Sequence, residues 1–349
     1  MFSSSIAVCR DSLSVIRKCV ALYDHARDLI YGGLETGGGE GDAQADPIGR
    51  LRELAPSAPS WRVYDSASAL TQLYAAYERF VYDTATTWLG LMPRVYRLYS
   101  DLPESVRKQH RVGASRILPK AGTGRYQHLS SDGIVRELYG GVANHHGYCL
   151  MIEAFQVHDR NLRGDALNDF LGGLSIAEPW AWISQQRRVV EYMTETRGGQ
   201  ETAEAELRSF IQYRNDAAHG TLENLPGPMV LLGIIDFVEV LAEAIGELFY
   251  SHAVEAMAKC GLACQVGEVA ERFTRADAVV ARMSQITIST GDTLVASAEH
   301  YCIPVKIRSM QVDDKDRRRV RCGAGTELGL RFDAQVGKGA KLYRISRSR

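Results

Sequence analysis

The chain has 349 residues, a formal net charge of −1, and 45% hydrophobic and 24% charged residues. This is globular composition with length for about two or three domains, and it excludes a disordered, fibrous or disulfide-scaffold chain. The seven cysteines (9, 19, 149, 260, 264, 302 and 322) are scattered and odd in number, which reads as reduced thiols.

Residues 5–31 form the first predicted element, a helix with Val8, Val15, Ile16, Val20, Leu22 and Ile30 at helical spacing. Arg10, Arg17 and Lys18 interrupt its apolar run, so it is no signal peptide. Gly32, Gly33, Gly37–Gly39, Gly41, Pro47, Pro56 and Pro59 then mark a flexible Gly/Pro linker over 32–60, which makes 1–31 an N-terminal helical appendage that either docks back or reaches a partner.

A long helix is expected over 61–92, striped by Leu70, Leu73, Tyr74, Tyr77, Phe80, Val81, Thr84 and Trp88, with Pro93 at its end. Amphipathic segments follow at 133–156, 165–174, 180–196 and 201–218. Met229–Tyr250 is the most apolar stretch, but Asp236, Glu239, Glu243 and Glu247 rule it out as a membrane span; it reads as a helix packed on one side. Residues 61–262 thus describe an all-α bundle. After a boundary at about 262–276, short alternating runs separated by Gly291-Asp292, Asp313-Asp314, Gly323–Gly325 and Gly337–Gly339 suggest a small antiparallel β-barrel over 276–349. The fold class is therefore mainly α, a helical bundle followed by a barrel, in a soluble, cytoplasmic protein with no membrane partner.

The near-zero net charge conceals segregation. Lys306–Arg349 carries 13 Lys/Arg against 5 Asp/Glu, and Arg94–His128 carries 8 against 2, so the rest of the chain is acidic. Arginine dominates both basic stretches, and its planar fork suits phosphate. Solvated loops and strand faces would look the same, but the pattern points toward a polyanion such as nucleic acid.

Walker A, dinucleotide-binding, nucleophile-elbow and zincin patterns are all missing. Cys260 and Cys264 with His252 or His300 lack a second matched pair, and adjacent His145 and His146 point about 100° apart on a helix. No metal and no cofactor is expected. One segment stands out, Tyr213-Arg214-Asn215-Asp216-Ala217-Ala218-His219-Gly220, closing a strongly helical run. On a regular helix Arg214 and His219 lie about 140° apart, whereas Asn215 and His219 share a face. Either the helix end is distorted, or the site is assembled across a two-fold axis. The residues alone favour the plainer reading, in which Arg214 pairs with an acid such as Asp216 or Glu78 while His219 caps a carbonyl.

Arg214-Asn215-x-x-x-His219-Gly220, late in an all-α bundle, resembles the R-x4–6-H motif of the HEPN superfamily. Leu73–Val81 is similar to the first long helix of its RiboL-PSP-type branch, and His158–Arg163 with Leu167 and Leu171–Leu174 is similar to its middle segment. The likeness covers about residues 61–255. It implies a metal-independent endoribonuclease, acting as a homodimer, that leaves 2′,3′-cyclic phosphate and 5′-hydroxyl ends. Arg214 would then stabilise the phosphoryl transition state, His219 transfer protons and Asn215 position the phosphate or His219, with Glu78 and Asp216 in support. Thr221 stands where one variant of the family carries a modifiable tyrosine, which argues against that regulation.

With RNA as substrate, Arg107, Lys108, Arg111 and Arg116 become phosphate contacts, and Tyr96, Tyr99 and Tyr126 candidates for base stacking. Val320–Leu330 and Val336–Tyr343 resemble the second-domain barrel of translation GTPases. That likeness implies recruitment to tRNA or the ribosome through Arg317, Arg318, Arg319 and Arg321. The leading expectation is an RNA-cutting toxin or anti-phage protein with an inhibitory or regulatory protein partner. The alternatives are a non-catalytic RNA- or nucleotide-sensing module and a structural dimerisation bundle.

Overall fold

A computed structural model describes residues 1–32, 47–157, 161–219, 225–275, 277–313 and 315–346. Helix α1 (Ser3–Tyr31) buries Cys9, Leu13, Ile16 and Val20 against α3 (Ala58–Val95) and α10 (Pro228–Lys259). On its other flank Arg10 pairs with Glu243 and, at 3.7 Å, with Glu239, while Arg17 pairs with Asp236 and, at 3.4 Å, with Glu239. Of the two alternatives for this helix, the structure has it docked back, as a full member of the bundle. Each aliphatic side chain it buries contributes about 1.5–3 kcal/mol, enough to hold the helix down.

The linker expectation also changes. Gly33, Gly37–Gly39 and Gly41 lie outside the described residues, but Pro47–Leu54 is helix α2 and α3 already begins at Ala58. Proline in a first helical turn loses no hydrogen bond, so Pro47 and Pro59 open helices here. Ser57 Oγ accepts from the Ser60 amide at 3.3 Å and caps α3. At the far end Pro93 sits inside the last turn of α3.

The middle of the bundle is more broken than its periodicity suggests. After α4 (Glu104–Ile117), the predicted 133–156 helix is α5 (Ser131–Val142) followed by a loop and a short 3-10 turn at Ile152–Ala154. Asn144 and Gly147 there adopt φ of 55° and 72°, which ends the helix. Helix α6 (Gly164–Gly173) follows, and 180–196 divides into α7 (Pro179–Ile183) and α8 (Arg187–Arg197). Gln186 Oε1 accepts from the Arg188 and Val189 amides at 2.8 and 3.1 Å, starting α8 afresh. Then come α9 (Ala203–His219) and α10.

Helix α10 is packed on several sides, not one. It contacts α1, α3, α7, α8, α9 and the barrel, and its acidic row is the docking edge for Arg10, Arg17 and Arg188. Among the described residues no helix is long and apolar enough to cross a membrane.

Strand β1 (Ala263–Phe273) follows α10 directly, ahead of the expected first strand. Its Glu268, Glu271 and Arg272 disguise the buried positions Ala263, Val266 and Val269. The others are β2 (Ala278–Met283), β3 (Ile286–Ser289), β4 (Thr293–Ala298), β5 (Tyr301–Val312), β6 (Lys315–Asp316), β7 (Arg319–Cys322), β8 (Thr326–Phe332) and β9 (Lys341–Ile345). The antiparallel order β4-β9-β1-β2-β8-β5 closes through β4–β5 pairing, giving a six-stranded barrel; β6 turns back to pair with the end of β5, and β3 pairs with β7 separately. Closure removes the exposed edges. Ala263, Val295 and Cys302 of the barrel belong to the bundle's hydrophobic core. Beside them Glu247 accepts from Gln186 Nε2 at 3.1 Å and from the Cys302 amide at 3.3 Å, and burial pushes its carboxyl up to about 7.

Candidate active site

Helices α3 and α9 meet where the Tyr74 and Phe210 rings lie 6.4 Å apart. The Tyr77 hydroxyl donates to the Leu162 carbonyl at 3.0 Å, and the Leu162 amide donates to the Tyr74 hydroxyl oxygen at 3.0 Å. These two bonds fasten the chain at 161–162 to α3 and bring Asn161 beside the last turns of α9.

Arg214, one turn beyond Phe210, lays its guanidinium over Tyr74 with Cζ 4.5 Å from the ring centroid. Its Nη1 donates to Asn215 Oδ1 at 3.2 Å and to Asn161 Oδ1 at 3.5 Å, while Asn161 Nδ2 donates to Asn215 Oδ1 at 2.8 Å. Arg214 Nε is buried without a partner among the described residues. Among the described residues the cation is thus oriented by an aromatic face and two amides and paired with no carboxylate, an arrangement that leaves its charge for a ligand.

Glu78 reaches this group only at one remove. The Tyr74 hydroxyl donates to Glu78 Oε1 at 3.0 Å, and burial together with that carboxylate raises the phenol's pKa well above its ordinary value. Tyr74 therefore stays neutral. Asp216 accepts from Gln212 Nε2 at 2.7 Å along the helix. Neither acid forms an ion pair with Arg214 among the described residues, so the expected pairing with Asp216 or Glu78 is replaced by the Asn161–Asn215–Tyr74 cradle.

His219 is the last residue of α9, exposed, with no partner among the described residues. The helix is regular through His219. Within one chain the Arg214 and His219 side chains therefore diverge by about 140°; Asn215 shares a helical face with His219 and not with adjacent Arg214, which it meets only through its side-chain oxygen. Gly220, Thr221 and the family-like His158–Arg160 lie outside the described residues. Nothing in the sequence marks Asn161 or the Tyr74 ring as site residues beyond their place in the two segments that resemble the family.

The basic residues separate into two groups. Glu104 pairs with Arg107 at 2.5 Å and with Arg111 at 3.2 Å, which offsets part of the charge of α4; Lys108 and Arg116 are exposed. Arg317, Arg318, Arg319 and Arg321 are all exposed on the barrel. Tyr99 and Tyr126 are buried, so base stacking on them is not available; Tyr99 instead faces His110 Nδ1 at 3.1 Å, and only half-buried Tyr96 retains an accessible edge. Among the described residues, no three His, Cys, Asp or Glu side chains form a group able to hold a metal ion.

Residues 40–237 match the family model described as MAE_28990-like HEPN. No curated protein matches the chain significantly, and no solved structure does.

Proposed function

Because the chain belongs to the MAE_28990-like HEPN family, whose domains act as ribonucleases or RNA-binding modules, we propose that it is a metal-independent endoribonuclease. The observation that carries this reading is the Arg214 guanidinium, held by Tyr74, Asn161 and Asn215 with no carboxylate partner among the described residues and followed by exposed His219 at the same helix end.

In this reading the ribose 2′-oxygen attacks the adjacent phosphorus and gives up its proton to a base, the P–O5′ bond breaks, and the departing O5′ takes a proton. The products are a 2′,3′-cyclic phosphate and a 5′-hydroxyl, and no water is consumed. Charge builds on the non-bridging oxygens, where a preoriented guanidinium acts most strongly. Arg214 supplies it, Asn215 holds it in register, and His219 moves a proton at the 2′- or 5′-oxygen. The divergence of Arg214 and His219 on one helix favours a homodimer in which each chain lends residues to a shared groove. The basic barrel would recruit translation RNA such as tRNA, and the toxin or anti-phage setting, with an inhibitory partner, belongs to the same proposal.

That same divergence supports the second reading, a non-catalytic RNA-sensing module. The test is cleavage of RNA by the purified chain in EDTA, with the ends mapped. Cyclic-phosphate ends that disappear in Arg214→Ala and His219→Ala support the nuclease. Tight binding without cleavage, or cleavage surviving both substitutions, overturns it.

A further inference from the structure

Helix α1 turns one apolar row to the bundle and a second one to solvent. Cys9, Leu13, Ile16 and Val20 are buried. Val8, Val15, Leu22 and Leu29, spaced seven residues apart, are all exposed, Val15 by 60% and Leu22 by 61%. Side chains at that interval drift by only about 20° per repeat, so the four stand in one line along the helix. Single aliphatic side chains are ordinary on a surface, whereas a line of them at heptad spacing suits packing against another helix.

Beside this row lies a groove of about 510 Å³ between α1 and α3. It is mostly apolar, and its walls are short side chains: Ser12 and Cys19 on α1, and Ser68, Ala69 and Ala76 on α3. The charges along it are already matched. Arg27 pairs with Asp65 at 2.8 Å and Arg79 with Asp83 at 3.4 Å, so the groove holds out no unpaired guanidinium to an anionic ligand. Short walls beside a long apolar ridge suit the larger side chains of an incoming helix.

Ridge and groove lie side by side on one chain, and this identifies the occupant. A two-fold rotation lays the Val15–Leu22 ridge of each copy in the groove of the other, so a single surface supplies both halves of an isologous contact. The row from Val8 to Leu29 runs about 32 Å, and with the groove it is about 20 Å wide, two helix diameters. The two copies would together cover roughly 1,300 Å², within the range of about 1,200–2,000 Å² for specific interfaces. The row's flank carries exposed Asp11, Lys18 and His25. Antiparallel pairing about the row's midpoint, beside Cys19, brings Asp11 next to the partner's His25. It leaves Lys18 near the axis, where its long stem lies along apolar surface.

We propose that a second copy of this chain docks on this face, its α1 antiparallel to the first and seated in the groove between α1 and α3. The contact goes beyond the nuclease reading. Gln72 and Ala76, which line the groove, each stand about 200° round α3 from Tyr74, the residue beneath Arg214. The face is therefore turned away from Arg214, and the pairing invoked at the α9 end is a separate one.

The experiment is sedimentation equilibrium on the full chain across a dilution series. The native chain is expected to have twice the mass of the Val15→Glu, Leu22→Glu double variant, whether or not copies also meet at α9. Both positions are exposed, so the variant is expected to keep its native circular dichroism. If it does not fold, Val15→Ser with Leu22→Gln is read the same way. Equal masses in the native chain and a folded variant overturn the proposal and leave the face to a different protein. A short bismaleimide is expected to join Cys19 to the partner's Cys19, as mapped by peptide mass, and to fail in the double variant. A native chain that gives no such peptide, while Cys19 reacts with the reagent in the double variant, also overturns it.

Discussion

Replacing Arg214 by lysine keeps the positive charge and removes its shape. In the native site the guanidinium lies over Tyr74 at 4.5 Å and shares Nη1 between Asn215 and Asn161 at 3.2 and 3.5 Å. A half-buried cation over a phenol ring contributes about 1 kcal/mol. The two long bonds from a charged donor add about 1 kcal/mol together. An ammonium on a flexible stem keeps part of the first and none of the planar fork, so about 1.5 kcal/mol of positioning is lost, or about tenfold in rate. Loss of two-point phosphate contact adds to this, and Arg214→Lys is expected to cut about thirty- to several-hundredfold more slowly than the native chain. The assay is single-turnover cleavage of a labelled RNA in EDTA, with thermal melts to show that both proteins are folded. A lysine variant within about threefold of native would refute the idea that the Tyr74–Asn161–Asn215 cradle matters for geometry rather than for charge alone.

The other expectations concern the cradle, two buried titrating groups and one glycine. Asn161→Ala should lower cleavage about tenfold while leaving the melting temperature within a few degrees, because Asn161 touches Arg214 only through polar bonds; an unchanged rate removes it from the site. Buried His110 has its pKa lowered from 6.5 to about 4 by desolvation, with Nε2 accepting from the Met151 amide at 3.2 Å. The folded state resists protonating it, so its contribution is present above pH 6.5 and fades toward pH 4, by up to about 3 kcal/mol. Urea titrations across that range should show the slope in the native chain and lose it in His110→Gln. Glu247 behaves oppositely, since burial raises its pKa from 4.5 to about 7. Its contribution is full below pH 4.5 and is lost as pH rises through 7, again by up to about 3 kcal/mol; Glu247→Leu should therefore unfold with less loss from pH 5 to 8 than the native chain. Gly113 admits no side chain, because a Cβ there would run into the Ala154 carbonyl. Gly113→Ala should destabilise by about 1–3 kcal/mol, measured by urea unfolding, and a neutral result would show that α4 and the 152–154 turn are free to separate.

Local chemistry is legible in the sequence where it acts alone. The stripe from Leu70 to Trp88 is a buried helix face, and the turn glycines after residue 290 separate real strands. Prolines misled because the same ring that breaks a helix interior is at home in a first turn, as Pro47 and Pro59 are. Strand β1 was hidden because its solvent-facing Glu268, Glu271 and Arg272 dilute the alternation.

The amino-acid order by itself determined the two architectures, their junction to within a short stretch, the segregation of charge, and the Arg214–His219 helix end. Those properties follow from periodicity, turn chemistry and composition, which need no partner element. Only the tertiary structure decided that α1 belongs to the bundle and that Glu104 offsets Arg107 and Arg111. It also decided that Tyr99 and Tyr126 are core and that Asn161 and Tyr74, not Glu78 or Asp216, hold Arg214. Each of those outcomes depends on which distant side chain arrives first at a polar or apolar surface, a competition between contacts far apart in the chain that no local pattern records.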